Sequence, residues 1–159
     1  MMFRKPYTIF LPLLLLIASC NTVDVFEKNV RIPNHEWSAA FQPEISFEIS
    51  DTTSLYNIYV VVRHSDAYRY NNIWLNLYTR IPNDTAVRKQ RLDLRLATDD
   101  KGWLGSGMDD IFEHRILITG TPQQLTRKGL YTFRIENIMR EEPLQHVMNV
   151  GIRVEKTKG

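Results

Sequence analysis

A single cysteine, Cys20, stands in a chain of 159 residues, so no disulfide closes within it and the fold must rest on its own apolar core. The signatures of catalysis are missing as well: there is no HExxH, no GxSxG elbow, no P-loop and no dinucleotide fingerprint. The run GWLGSG from Gly102 lacks the phosphate-loop lysine and falls between strand-like segments. His35, His64, His114 and His146 are far apart in sequence, with no further cysteine to complete a zinc set, and read as ordinary surface or half-buried histidines. No catalytic residue, metal ligand or cofactor is expected. No excess of one charge survives either. The formal charge of +2 is owed to Arg4 and Lys5, and without them basic and acidic side chains balance. Arg88, Lys89, Arg91 and Arg95 are the one dense basic cluster; without a recognition motif they read as a solvated strand face rather than a nucleic-acid footprint. No internal repeat and no low-complexity segment is visible.

What is present begins at the first residues. Arg4 and Lys5 precede an apolar run from Ile9 to Ile17, too short for a comfortable membrane span, and then Ala18, Ser19 and Cys20. The run Ile17, Ala18, Ser19, Cys20 resembles the lipobox of bacterial lipoproteins, which implies cleavage before Cys20 and acylation of its thiol and new amino group. Several acyl chains, at roughly 0.8 kcal/mol per buried methylene, anchor where one chain is marginal. Residues 1–19 are therefore expected to be a lipoprotein signal peptide. Residues 20–33 follow as a lipidated terminus and either a tether or a first strand, and residues 34–159 form one domain. Asn21 replaces the aspartate associated with inner-membrane retention, which favours an outer-membrane anchor.

The domain has the period of strands. Ile45, Phe47 and Ile49 alternate with Ser46, Glu48 and Ser50; Ile73, Leu75 and Leu77 lie opposite Trp74, Asn76 and Tyr78. Leu92 to Leu96, Tyr131 to Ile135 and Val150 to Val154 repeat the pattern. Leu55 to Arg63, rich in Tyr, Ile and Val, reads as a strand covered on both faces. Thr98 to Asp110 is expected to be a loop, and Glu136 to Glu142 a helical turn stopped by Pro143. Many short strands between turn signals predict an all-β fold, a two-sheet antiparallel β-sandwich of the jelly-roll or immunoglobulin-like kind.

The run YNIYVVVRHSDAYRYNNIWL from Tyr56, the segment LDLRLATDDKGWLGSGMDDIFE from Leu92 and the ending GLYTFRIENIMREEPLQHVMNVGIRVEK from Gly129 resemble the GldH family of gliding-motility lipoproteins of Bacteroidota. With the lipobox and Trp37 the likeness spans the whole chain, departing from the family pattern in the basic linker before Leu92 and at Met108 and Asp109. The resemblance implies an outer-membrane-associated lipoprotein of the cell envelope serving surface motility, with partners among the gliding-machinery proteins and no catalytic residues.

Candidate site residues lie chiefly in the glycine loop. Asp109, Asp110 and Glu113, near Asp99 and Asp100, offer oxygens, but their spacing fails the EF-hand pattern and turn capping accounts for them. Trp103 is either a loop ligand contact or a plug for one end of the sandwich. Thr52 and Thr85, in Asp51-Thr52-Thr53 and Asp84-Thr85-Ala86, resemble O-glycosylation acceptors of exported proteins in that phylum. Tyr56, Tyr59, Tyr68, Tyr70, Trp74 and Tyr78 crowd two strands; such rings either pack a core or stack on sugars. The leading expectation is a non-enzymatic interaction module held on a membrane by its N-terminal lipid. The alternative is a surface glycan-binding lipoprotein.

Overall fold

The computed structural model describes residues 25–157; the expected signal peptide and Cys20 lie outside the described residues. Fourteen strands follow one another in these residues: β1 (Val25–Arg31), β2 (Glu36–Trp37), β3 (Glu44–Ile49), β4 (Leu55–Ser65), β5 (Asn72–Arg80), β6 (Val87–Arg95), β7 (Ala97–Thr98), β8 (Gly102–Trp103), β9 (Ser106–Met108), β10 (Ile111–Leu117), β11 (Gln123–Gln124), β12 (Gly129–Asn137), β13 (Leu144–Gln145) and β14 (Val147–Lys156). The larger sheet runs in the order β1, β14, β4, β10, β9, with β11 pairing the start of β4; the smaller runs β3, β12, β5, β6. Every pairing is antiparallel. The fold is the all-β sandwich that the alternation implies.

The core follows from parity. On β4, Tyr56, Ile58, Val60, Val62 and His64 share one face and are all buried. They meet Val150, Ile152 and Val154 of β14 beside them, and across the sandwich Ile73, Leu75 and Leu77 of β5 with Tyr131, Phe133 and Ile135 of β12. Burying each side chain of this size contributes roughly 1.5–3 kcal/mol. Phe47 of β3 stacks on Tyr131 and Phe133 at centroid distances of 5.8 and 5.4 Å, and Phe26 of β1 closes on it at 5.4 Å. The segment left open between tether and strand is thus strand from Val25, hydrogen-bonded along β14.

Trp37 fills one end of the core. It is fully buried; its indole donates to the Phe41 carbonyl at 2.8 Å, while its own carbonyl accepts from the buried Asn137 amide at 3.0 Å. This corrects the expected helical turn at Glu136 to Glu142. Glu136 and Asn137 stay paired with Asn76 and Leu75 of β5, Ile138 continues by donating to the Trp74 carbonyl, and Asn137 Oδ1 takes the Met139 amide. Inter-strand and side-chain partners satisfy the backbone that a helix would otherwise have to pair. The expected loop from Thr98 also carries structure, since β7 pairs β8 and β9 pairs β10.

On the outer face of the larger sheet, Gly151 lies between Asn29 and Val61. A Cβ there would meet Asn29 Oδ1 at 1.9 Å and the Lys28 carbonyl at 2.6 Å. Gly151→Ala should therefore lower the free energy of unfolding by about 1–3 kcal/mol, as overpacking typically costs, read as a lower urea midpoint without a change in the circular dichroism of the folded state.

Candidate functional site

Two histidines, His64 and His114, are buried within the sandwich, 0% and 3% exposed. Each continues the inward face of its strand: His64 after Val62 on β4, His114 between Phe112 and Ile116 on β10. Their Nε2 atoms are 2.9 Å apart, and His64 Nδ1 is 2.8 Å from the Ser65 carbonyl. A carbonyl only accepts, so Nδ1 carries the His64 proton. His64 Nε2 is then a lone pair, and His114 Nε2–H donates to it. Burial lowers the His64 pKa; burial and then the neighbouring His64 charge lower that of His114 to about 4. The pair is neutral at physiological pH.

Trp103, half-buried, covers this pair. Its ring centroid is 4.4 Å from His64 in an edge-on contact and 5.7 Å from Phe112, and its Nε1–H donates to Asp66 at 2.9 Å. The other loop candidates do not join it. Asp109 and Asp110 form the two-residue turn between β9 and β10, with Asp109 at φ +54° and the Asp110 carbonyl accepting from the Asp66 amide. Such a tight turn needs a residue tolerant of the left-handed region, and aspartate is one. Glu113 points out of the opposite face of β10, bridging Arg63 at 2.5 Å and Arg115 at 2.7 Å. Arg115 reaches on to Glu27, which also holds Arg153. Among the described residues no three His, Cys, Asp or Glu side chains gather as a metal site would require.

The outer face of the smaller sheet gathers the remaining polar and aromatic groups. Glu136 accepts from Asn76 and Tyr78, each at 2.7 Å, and these bonds lower its pKa. Arg91 lies over Trp74 at 4.6 Å; Arg134 and Lys89 lie over Tyr78 at 4.2 and 5.3 Å. Each ring already has a cation of the chain itself against it. Of the other aromatics, Tyr56 and Tyr68 are core residues. Thr85 is exposed, with Asp84 capping the Ala86 amide; Thr52 is half-buried, its carbonyl accepting from Gln124.

Fold and geometry together define an antiparallel β-sandwich whose buried polar groups mostly answer one another. The profile of the GldH lipoprotein family matches residues 24–154, and the chain belongs to that family. It is 24% identical over 156 residues to "Gliding motility lipoprotein GldH homolog" of Christiangramia forsetii, covering 94% of each chain. It is 25% identical to "Gliding motility lipoprotein GldH" of Flavobacterium johnsoniae, covering 89% of this chain and 91% of the other. A solved structure of infectious bursal disease virus, Gx strain, aligns with 85% of this chain and 32% of its own at 13% identity and a TM-score of 0.35, too low to carry an argument.

Sequence reading missed the histidine pair because its members are 50 residues apart and meet only through the pairing of β4 with β10. Their common inward parity within apolar strands is the signal that finds them. The unfolded chain, with ordinary histidines near pKa 6.5, binds protons that the folded chain refuses. Stability should therefore fall as pH drops from about 6.5 towards about 4, the loss flattening once His114 titrates in the folded state. Thermal melts should show a lower Tm at pH 5 than at pH 7, with a shallower slope in His114→Phe. Removing the cover in Trp103→Ala should raise both histidine pKa values in an NMR titration, because burial is the first cause of their depression.

Proposed function

We propose that this protein is a lipid-anchored, non-enzymatic interaction component of an outer-membrane machinery linked to gliding motility. The observation that carries the reading is the family match through nearly all of the described sandwich, with curated relatives named as gliding motility lipoproteins. Acylation of Cys20 supplies the anchor, and Asn21 after it favours the outer membrane. The state of the titratable groups supports a binding rather than a chemical role: His64 and His114 spend nitrogens on each other and on Ser65, and Glu113, Glu27 and Glu136 are engaged by arginines, an asparagine and a tyrosine. A general base or nucleophile needs a group poised towards substrate, and these are committed inwards or to neighbours. The glycan-binding alternative has less support, since Trp74 and Tyr78 already carry Arg91, Lys89 and Arg134 against their rings.

Cys20→Ser should abolish incorporation of labelled fatty acid and release the protein from the detergent phase, because a serine hydroxyl does not replace the thiol in the thioether. In a gliding host the same variant should fail to restore spreading to a strain lacking the gene. Retained fatty-acid label in Cys20→Ser would contradict the anchor, and full spreading by an unlipidated chain would contradict the membrane-bound role.

A further inference from the structure

The nine residues of β6 are the free edge of the smaller sheet: β5 pairs one side of the strand from Val87 to Arg95, and among the described residues no strand pairs the other. Val87 to Arg91 are exposed in succession. Their charges are also distinctive. On the larger sheet Arg63, Arg115 and Arg153 are each bridged to a carboxylate. Among the described residues no carboxylate bridges Arg88, Lys89, Arg91 or Arg95, and the one acid of β6, Asp93, accepts from Asn72 at 2.7 Å.

Beside this edge the two sheets part. A cleft of about 390 Å³ opens between β6 and the β10 to β11 connection, floored by Ile58, Leu77, Tyr131 and Phe133 and lipped by Arg88 and Gln90. No carboxylate lines it. A second, of about 450 Å³, lies by Arg95 at the end of β6, where Leu104 and Leu117, 46% and 39% exposed, stand with His114 and with Glu113, whose carboxylate is bridged to Arg63 and Arg115. The inward positions of β6 match this change. Leu92 and Leu94 are buried, but Gln90 and Arg88, of the same parity, stand at the opening.

We propose that β6 is a strand-docking edge: an extended, acidic segment of another envelope protein pairs with Val87–Arg95, its alternate apolar side chains entering the clefts and its carboxylates meeting Lys89, Arg91 and Arg95. Backbone pairing supplies affinity in strand addition, and the alternate side chains supply selection. The cations decide the occupant. They make two copies of β6 repel, which disfavours edge-to-edge self-association, and the same charge attracts an acidic strand. β6 is an edge strand of the smaller sheet and β1 an edge strand of the larger, and four residues, Asn21 to Asp24, separate Cys20 from β1. The inference rests on the interaction-module reading and names the kind of partner it takes.

The test uses the full-length anchored chain in detergent micelles and a fluorescent, end-capped nine-residue peptide in which glutamate alternates with valine. Fluorescence anisotropy should show saturable binding, weakened at least tenfold by the double variant Arg91→Glu/Arg95→Glu and by raising salt from about 50 to about 200 mM. A peptide N-methylated at alternate residues, with unchanged charge but missing backbone donors, should also lose at least tenfold. Equal binding of the methylated peptide, or equal binding by the double variant, overturns strand addition at β6, as does the absence of saturable binding. Because the substituted arginines are exposed, the double variant should keep its melting curve; if it does not, Lys89→Glu/Arg95→Glu replaces it with the same expected loss. Failure here leaves fatty-acid labelling and spreading untouched, so it is distinguishable from failure of the anchor and the motility role.

Discussion

The structure depends on β4 being buried along one face and paired on both edges. One face, from Tyr56 to His64, packs across to the smaller sheet; on the other, Val61 is 1% exposed between Gly151 and Arg115. A strand so placed must have neighbours on both edges, and β14 and β10 with β11 provide them. Each neighbour is then held in register, because a one-residue slip would turn its apolar face outwards and its charges inwards. The ion pairs Glu113 with Arg63 and Arg115, and Glu27 with Arg153, follow from that register rather than causing it. Exposed pairs of this kind contribute little each, about 0–1 kcal/mol.

Burial of β4 also dictates how its polar members behave. His64 occupies a position that apolar residues hold along the rest of that face, and it is tolerated because His114 and the Ser65 carbonyl answer both ring nitrogens. Trp103 completes the enclosure from a two-residue strand, with Asp66 satisfying its indole. The two outer faces divide differently. The larger sheet bridges Arg63, Arg115 and Arg153 to carboxylates, whereas the smaller sheet lays Arg91, Lys89 and Arg134 over aromatic rings and leaves the β6 edge positive.

The sandwich was legible in the sequence because a period of two is a local signal: Ile45, Phe47 and Ile49, or Tyr131, Phe133 and Ile135, declare their inner face without reference to any other strand. Pairing partners are not local, so the meeting of His64 with His114 was invisible until β4 and β10 were set side by side. The glycine loop misled for a related reason. Trp103 and Glu113 are neighbours in a loop-like stretch, but β10 is a strand, and Glu113 faces away from the side on which Phe112 and His114 meet the tryptophan. The helical turn expected at Glu136 to Glu142 lost to the hydrogen bonds that β5 and Asn137 supply.

The dependence on β4 is tested most directly by amide hydrogen exchange resolved residue by residue. Opening the amides of β4 requires loss of β14, β10 and the facing sheet together, so their exchange should occur only through global unfolding. Amides from Val60 to Val62 should be among the slowest in the chain and share the free energy measured by urea denaturation, with those of the edge strands β1, β6 and β9 opening at lower cost. If Val60 to Val62 exchange as fast as the edge strands, β4 is not the strand on which the sandwich depends.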